Sequence, residues 1–139
     1  MSLAILVALA VVLPASRVSA VIVAGVAAAF ALGLLDDFRR MAPSTKLAGQ
    51  AIIAAGLFFG GVRVEIVTFE PVAFVVTVLW VIGLMNAVNL MDNMDGLAAG
   101  ITAIASAALA IAAYPENIPV ALIGAVTAGA AVGFLVHNF

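Results

Sequence analysis

The sequence predicts an all-α fold: a polytopic bundle of about six transmembrane helices. Three observations predict it. Apolar residues make up 67% of the 139 residues, charged residues make up 9%, and the mean hydropathy is +1.36. A soluble domain of this length cannot hide so much apolar surface. Several apolar runs approach the roughly 20 residues that cross a hydrocarbon core as a helix. The composition is dominated by Ala, Gly, Val, Leu and Ile, without the polar–apolar alternation of barrel strands. The absence of cysteine excludes disulfides and thiolate metal sites. No basic tract points to nucleic acid, and the net charge of −2 constrains little.

Six spans follow in order, and together they are read as one membrane domain over residues 1–139. The first, Ser2–Leu13, has only about a dozen apolar residues before Pro14, short for a full crossing. It suits a tilted or partial helix, or the end of a longer one. A cleavable signal peptide fits less well, because the stretch has no positive start and more spans follow. Pro14 breaks this helix by removing a backbone donor and clashing with the preceding turn. The second span is Val18–Leu35 and the third Lys46–Val62, with Gly60-Gly61 at its end. Arg63–Glu70 alternates and is β-branched, predicting a short extended or hairpin segment at the membrane surface. The fourth span is Val72–Leu90, the fifth Leu97–Tyr114 and the sixth Pro119–Val136, the last two joined by a tight turn at Pro115-Glu116-Asn117. Gly124, Gly129 and Gly133 predict close helix–helix packing. The aromatic residues read as lipid-facing or interfacial.

Counting crossings gives a topology. Two crossings separate Asp36-Asp37 from Asp92-Asn93, so these share one membrane face with Lys46 and His137-Asn138. Arg63, Glu65, Glu70 and Glu116 share the other. Arg39, Arg40 and Lys46 cluster in one loop, against Arg17 and Arg63 opposite, which assigns the first face to the cytoplasm.

Four of the seven acidic residues sit in two clusters at the ends of apolar spans. A charge at or near a lipid core costs roughly 2.5–3.5 kcal/mol on insertion scales, so such residues call for an explanation. Asp36-Asp37 precedes Arg39-Arg40. The bland reading is a helix end whose acids pair with the neighbouring arginines. The functional reading is that two carboxylates hold Mg²⁺, which prefers hard oxygen ligands and phosphates. In another version, one acts as base or nucleophile while its neighbour orients a metal-bound phosphate. Adjacent helical residues point about 100° apart, so the two are not expected to do the same job.

The second cluster runs from Asn86 to Gly96 (NAVNLMDNMDG). On a helix, Asn86, Asn89 and Asn93 form one stripe, and Asp92 and Asp95 an adjacent one. Buried amides and acids need partners, which an interhelical hydrogen-bond seam supplies. Their oxygens also suit a metal or a polar ligand. Lys46 either snorkels to the headgroups or serves as a point charge for phosphate. His137, alone near the terminus, carries no assigned role. Acids, amides and a lysine on one membrane face suit magnesium-dependent phosphate chemistry on a lipid, and equally a cation pathway.

Two stretches carry a resemblance that separates these readings. Leu32 to Gln50 (LGLLDDFRRMAPSTKLAGQ) resembles the first signature of the polyprenyl-phosphate N-acetylhexosamine-1-phosphate transferases. Asn86 to Gly100 (NAVNLMDNMDGLAAG) resembles the second, which is long and specific. The tail from Gly133 (GFLVHNF) is similar to the run that leads into the third. Order and spacing also fit, so the resemblance covers nearly the whole chain. The ending from Lys46 to Gln50 looks more like the branch using UDP-N-acetylglucosamine or related sugars than the muramoyl-pentapeptide branch.

The resemblance implies transfer of N-acetylhexosamine-1-phosphate from a UDP-sugar to polyprenyl phosphate, releasing UMP, at the cytoplasmic face of the plasma membrane. It implies Mg²⁺ as cofactor and a homodimer. Carried over by position, Asp36 resembles the carboxylate that deprotonates or positions the lipid phosphate, with Asp37 its partner near metal and diphosphate. Lys46 resembles a phosphate-contacting lysine, Asn89 a magnesium ligand, and Asp95 the residue that reads the uracil. Asn86 and Asp92 are assigned to the same substrate pocket. Asn93 departs from the glycine common at its position.

The family has about ten or eleven spans, a third signature of Phe-Met-Gly-Asp type and a later cytoplasmic loop rich in histidine or arginine. These do not occur in the sequence, nor does the family's first span with its glycine-bearing loop. The chain therefore reads as a fragment, expected to be inactive by itself. The alternatives of another class are a small cation transporter or channel subunit, and a noncatalytic membrane remnant.

Overall fold

The computed structural model describes residues 2–66, 68–91 and 96–136. It is all-α, with six helices: α1 Ser2–Val12, α2 Arg17–Arg39, α3 Pro43–Phe59, α4 Glu70–Met91, α5 Leu97–Ala113 and α6 Ile118–Leu135. Of these, α2, α4 and α6 are long and apolar enough to cross a membrane. At 23 residues, α2 spans about 34 Å. With 17 residues each, α3 and α5 reach roughly 26 Å, and α1 has 11.

The helix ends follow local chemistry. Ser16 caps α2, its hydroxyl accepting the Ser19 N–H at 3.1 Å. Pro43 opens α3 from its first turn, where its missing N–H costs nothing. That helix closes with Gly61 at φ 97°, Val62 N–H reaching Leu57 C=O and Gly61 N–H reaching Phe58 C=O. Only glycine adopts this left-handed turn freely. Asn117 caps α6 by accepting the Val120 N–H.

Two expectations are corrected here. The apolar run of the second span stops at Leu35, but the helix continues to Arg39 and carries both aspartates inside its last turns. Of the two forms expected for the segment after α3, extended or hairpin, the hairpin is not formed among the described residues. Among the described residues the segment has no second strand to pair with. It is pinned instead by the Val64 N–H on Thr77 Oγ1 at 3.1 Å, and by an Arg63–Glu70 ion pair at 3.0 Å.

The chain forms two compact units, residues 15–87 and residues 1–14 with 88–139. In the first, α3 packs antiparallel on both α2 and α4. Against α2, glycines receive branched side chains: Gly25 meets Leu57, Gly49 meets Leu32 and Gly60 meets Val21. Against α4, Phe58 stacks edge-on with Phe74, their ring centroids 5.2 Å apart. Phe58 is buried rather than lipid-facing, and the Arg63 guanidinium lies 5.8 Å from its ring centre. In the second unit, α5 and α6 form a hairpin against which α1 packs.

The buried positions are mostly small: Ala54, Ala73, Ala98, Ala99, Ala103, Ala121 and Ala131. Large apolar side chains such as Ile52, Leu79, Ile104 and Ile111 point outward. That distribution suits a lipid environment, where helix association depends on close backbone approach rather than on hiding apolar bulk. Of the expected packing glycines, Gly124 fulfils the role: a Cβ there would lie 2.7 Å from Ser106 O and 2.8 Å from Ala110 N. A Cβ at Gly129 would meet nothing within 4 Å among the described residues.

Candidate functional site

The polar end of the first unit is built on the α2–α3 turn. Asp36 lies in the last turns of α2 and Lys46 near the start of α3. Lys46 Nζ donates to Asp36 Oδ2 at 2.6 Å, with the two side chains 21% and 22% exposed. Asp36 also closes its own helix. Its C=O accepts the Arg40 N–H at 2.8 Å, and its Oδ1 accepts the Met41 N–H at 3.2 Å. These bonds hold Arg40 in the left-handed conformation, φ 45° and ψ 67°, that turns the chain into α3.

The partner of Asp36 is therefore Lys46, ten residues on, and not the adjacent Arg39 or Arg40. Both arginines are exposed. The helical offset of about 100° separates the two aspartates as expected. Asp36 faces α3 and is half-buried, whereas Asp37 is exposed and carries no ion pair among the described residues. An exposed, unneutralised carboxylate suits Mg²⁺, which binds through one or two carboxylates and keeps phosphate oxygens and waters for its other positions. Among the described residues, no three acidic or imidazole groups gather into a metal site.

One turn further into α3, Gln50 is 2% exposed. It makes a reciprocal amide pair with Asn86 of α4. Asn86 Nδ2 donates to Gln50 Oε1 at 2.9 Å, and Gln50 Nε2 donates to Asn86 Oδ1 at 3.4 Å. Asn86 Nδ2 also donates to its own helix at Ile82 C=O, 3.0 Å away. This is an interhelical seam of the kind that the amide density called for, and it gives each side chain a partner in the other. Gln50 escaped the sequence reading as a site residue. The available signal was its spacing of four from Lys46, which puts both on one face of α3, and the need of a buried amide for a partner.

Asn89 lies three residues beyond Asn86 on α4 and is exposed. Asp92 and Asp95, expected in the substrate pocket, lie outside the described residues, as do Asn93, His137 and Asn138. The structure thus brings Asp36, Lys46, Gln50 and Asn86 to one end of the first unit, with Asp37 beside them in sequence. Arg63 and Glu70 lie at the opposite end of that unit, where the fourth helix begins.

Comparison with known proteins matches residues 19–139 to the family described as glycosyl transferase family 4. The chain is similar to the probable undecaprenyl-phosphate N-acetylglucosaminyl 1-phosphate transferase of Bacillus subtilis, 31% identical over 118 residues, covering 78% of this chain and 33% of that protein. It is 34% identical over 128 residues to the phospho-N-acetylmuramoyl-pentapeptide-transferase of Halalkalibacterium halodurans, covering 77% and 39%. It is 35% identical over 140 residues to the decaprenyl-phosphate N-acetylglucosaminephosphotransferase of Mycobacterium tuberculosis, covering 86% and 34%. No solved structure matches. The chain spans about a third of the length of these curated relatives. Both polar segments fall inside the matched region, and the chain is a membrane protein that belongs to glycosyl transferase family 4.

Proposed function

We propose that the chain carries part of the site of a polyprenyl-phosphate N-acetylhexosamine-1-phosphate transferase, working at the cytoplasmic face of the plasma membrane. The observation that carries this reading is the family match over residues 19–139, which includes both polar segments. Its substrates are a UDP-N-acetylhexosamine and polyprenyl phosphate. An oxygen of the lipid phosphate attacks the sugar-linked phosphorus, the bond from that phosphorus to the bridging oxygen breaks, and UMP leaves. The product is a polyprenyl-diphospho-sugar.

Phosphoryl transfer asks a protein for positioning and charge neutralisation more than for covalent chemistry. Asp36 takes up the proton of the lipid phosphate or orients that phosphate. Lys46, already at the Asp36 carboxylate, supplies a point charge to the same anion. Asp37 and Asn89 are the oxygen donors assigned to Mg²⁺. That ion, when bound, neutralises diphosphate charge. Asn86, Asp92 and Asp95 bind the nucleotide-sugar, with Asp95 reading the uracil. A cation pathway gains no support from the first unit, whose acid and lysine lie at helix ends rather than midway along them.

The test is UMP release by the full-length protein in membranes, supplied with a UDP-N-acetylhexosamine, polyprenyl phosphate and Mg²⁺. Release should require all three, and Asp36→Asn or Asp37→Asn should abolish it. Release that survives the loss of both aspartates would refute the assignment.

A further inference from the structure

Three polar side chains are buried among the described residues: Ser19, Gln50 and Thr77. Ser19 bonds within its own helix cap, to Ser16. Thr77 serves its own helix and the segment before it, at Ala73 C=O and Val64 N–H. Gln50 alone of the three reaches another membrane helix, 36 residues on in the sequence.

The chemistry of the pair fixes which way the Asn86 amide points. A backbone carbonyl only accepts hydrogen bonds, so the group facing Ile82 C=O must be the NH₂ of Asn86. The same NH₂ supplies the 2.9 Å bond to Gln50 Oε1. Both donor hydrogens of Asn86 are then used. Among the described residues its oxygen receives only the longer 3.4 Å bond from Gln50 Nε2, and it has two lone pairs. Asn86 is itself exposed, whereas Gln50 is closed off behind it.

We propose that Gln50 is a positioning residue: from inside α3 it locks the Asn86 amide in one orientation, NH₂ turned inward and oxygen left to accept from a ligand. Asn86 then offers its ligand an acceptor, suited to a hydroxyl, an amide N–H or a cation, and not a donor suited to a phosphate oxygen. Lys46 lies one turn before Gln50 on the same face of α3 and meets Asp36. The single helix therefore sets the first polar segment with one residue and the second with another. The catalytic consequence rests on the transferase reading; the orientation of Asn86 does not.

The experiment has two arms on the full chain in nanodiscs. The first is hydrogen exchange of the Asn86 side-chain NH₂, measured by NMR and assigned through Asn86→Asp. The reference is Asn117, which is exposed and enters its cap as an acceptor. The Asn86 protons should exchange at least tenfold more slowly than those of Asn117, and Gln50→Met should erase the difference. Equal exchange in the wild type overturns the proposal, whether or not any variant folds. The second arm is kinetic. Gln50→Met should lower kcat by about tenfold or more with a smaller change in KM for polyprenyl phosphate, as loss of an orienting partner does. Added to Asn86→Leu, it should change kcat less than twofold, because its effect passes through Asn86. A wild-type kcat in Gln50→Met, or fully multiplicative effects in the double variant, overturns the proposal. No transfer by the wild type would refute the transferase reading and leave the exchange arm to decide the role of Gln50.

Discussion

The Lys46 ammonium lies 2.6 Å from the Asp36 carboxylate, joining the start of α3 to the end of α2 across a tight left-handed turn. Both groups are partly exposed, so solvent screens the pair and its contribution to stability is small. Its position matters more than its strength, because it keeps an acid and a cation together at the end of the first unit, where the proposed function puts the lipid phosphate.

Lys46→Met should therefore separate folding from function. In detergent it should leave thermal unfolding close to the wild type, because solvent screens the pair. UMP release should fall about a hundredfold or more, the usual effect of losing a group aimed at transition-state charge. Thermal unfolding and initial rates on the same preparation check this. A large loss of stability with unchanged turnover would make the pair a structural brace.

Arg40 occupies a left-handed conformation, φ 45°, that branched residues avoid. Arg40→Val should cost about 1–2 kcal/mol. Arg40→Gly should match or exceed the wild type in unfolding temperature, since glycine meets no Cβ penalty there.

Thr77 bridges the loop and α4. Thr77→Val preserves shape but strands the Val64 N–H, at a cost of about 1–3 kcal/mol. Thr77→Ser keeps the hydroxyl and should stay close to the wild type. Exchange protection of the Val64 amide should follow the same order.

Gly124 and Gly129 lie on one helix with opposite expectations. A Cβ at Gly124 meets the backbone of α5, which cannot swing aside, so Gly124→Ala should cost about 1–3 kcal/mol. At Gly129 the space is open, and alanine should be neutral or stabilising by about 0.5–1 kcal/mol. Thermal unfolding of the two variants in one detergent makes the comparison.

Much of this architecture is legible in the chain. Proline and glycine mark where helices stop, and the six helices observed differ from the apolar runs by a few residues at their ends. Hydropathy fails where helix and apolar run part company. Residues 36–39 continue α2 because backbone bonding and the Asp36 cap do not require apolar side chains. The alternation from Arg63 to Glu70 imitates a strand, but an isolated stretch has no ladder to join. At the site, residue types were readable and their pairings were not. Asp36 has arginines three and four residues away, yet the α2–α3 turn delivers Lys46. Gln50 shows its use only once α4 stands opposite, since a one-dimensional reading does not say which face of α3 meets which helix.

The antiparallel arrangement of α2, α3 and α4 has a bearing on biogenesis. The two side-chain links between helices described in this unit join helices that are consecutive in the chain, Asp36 with Lys46 and Gln50 with Asn86. The first link needs only the third helix beside the second, and the second link needs only the fourth beside the third. A nascent chain need not wait for later segments to neutralise Asp36 or to satisfy Gln50. Each link can therefore form from neighbouring segments alone, in the order in which the chain is made.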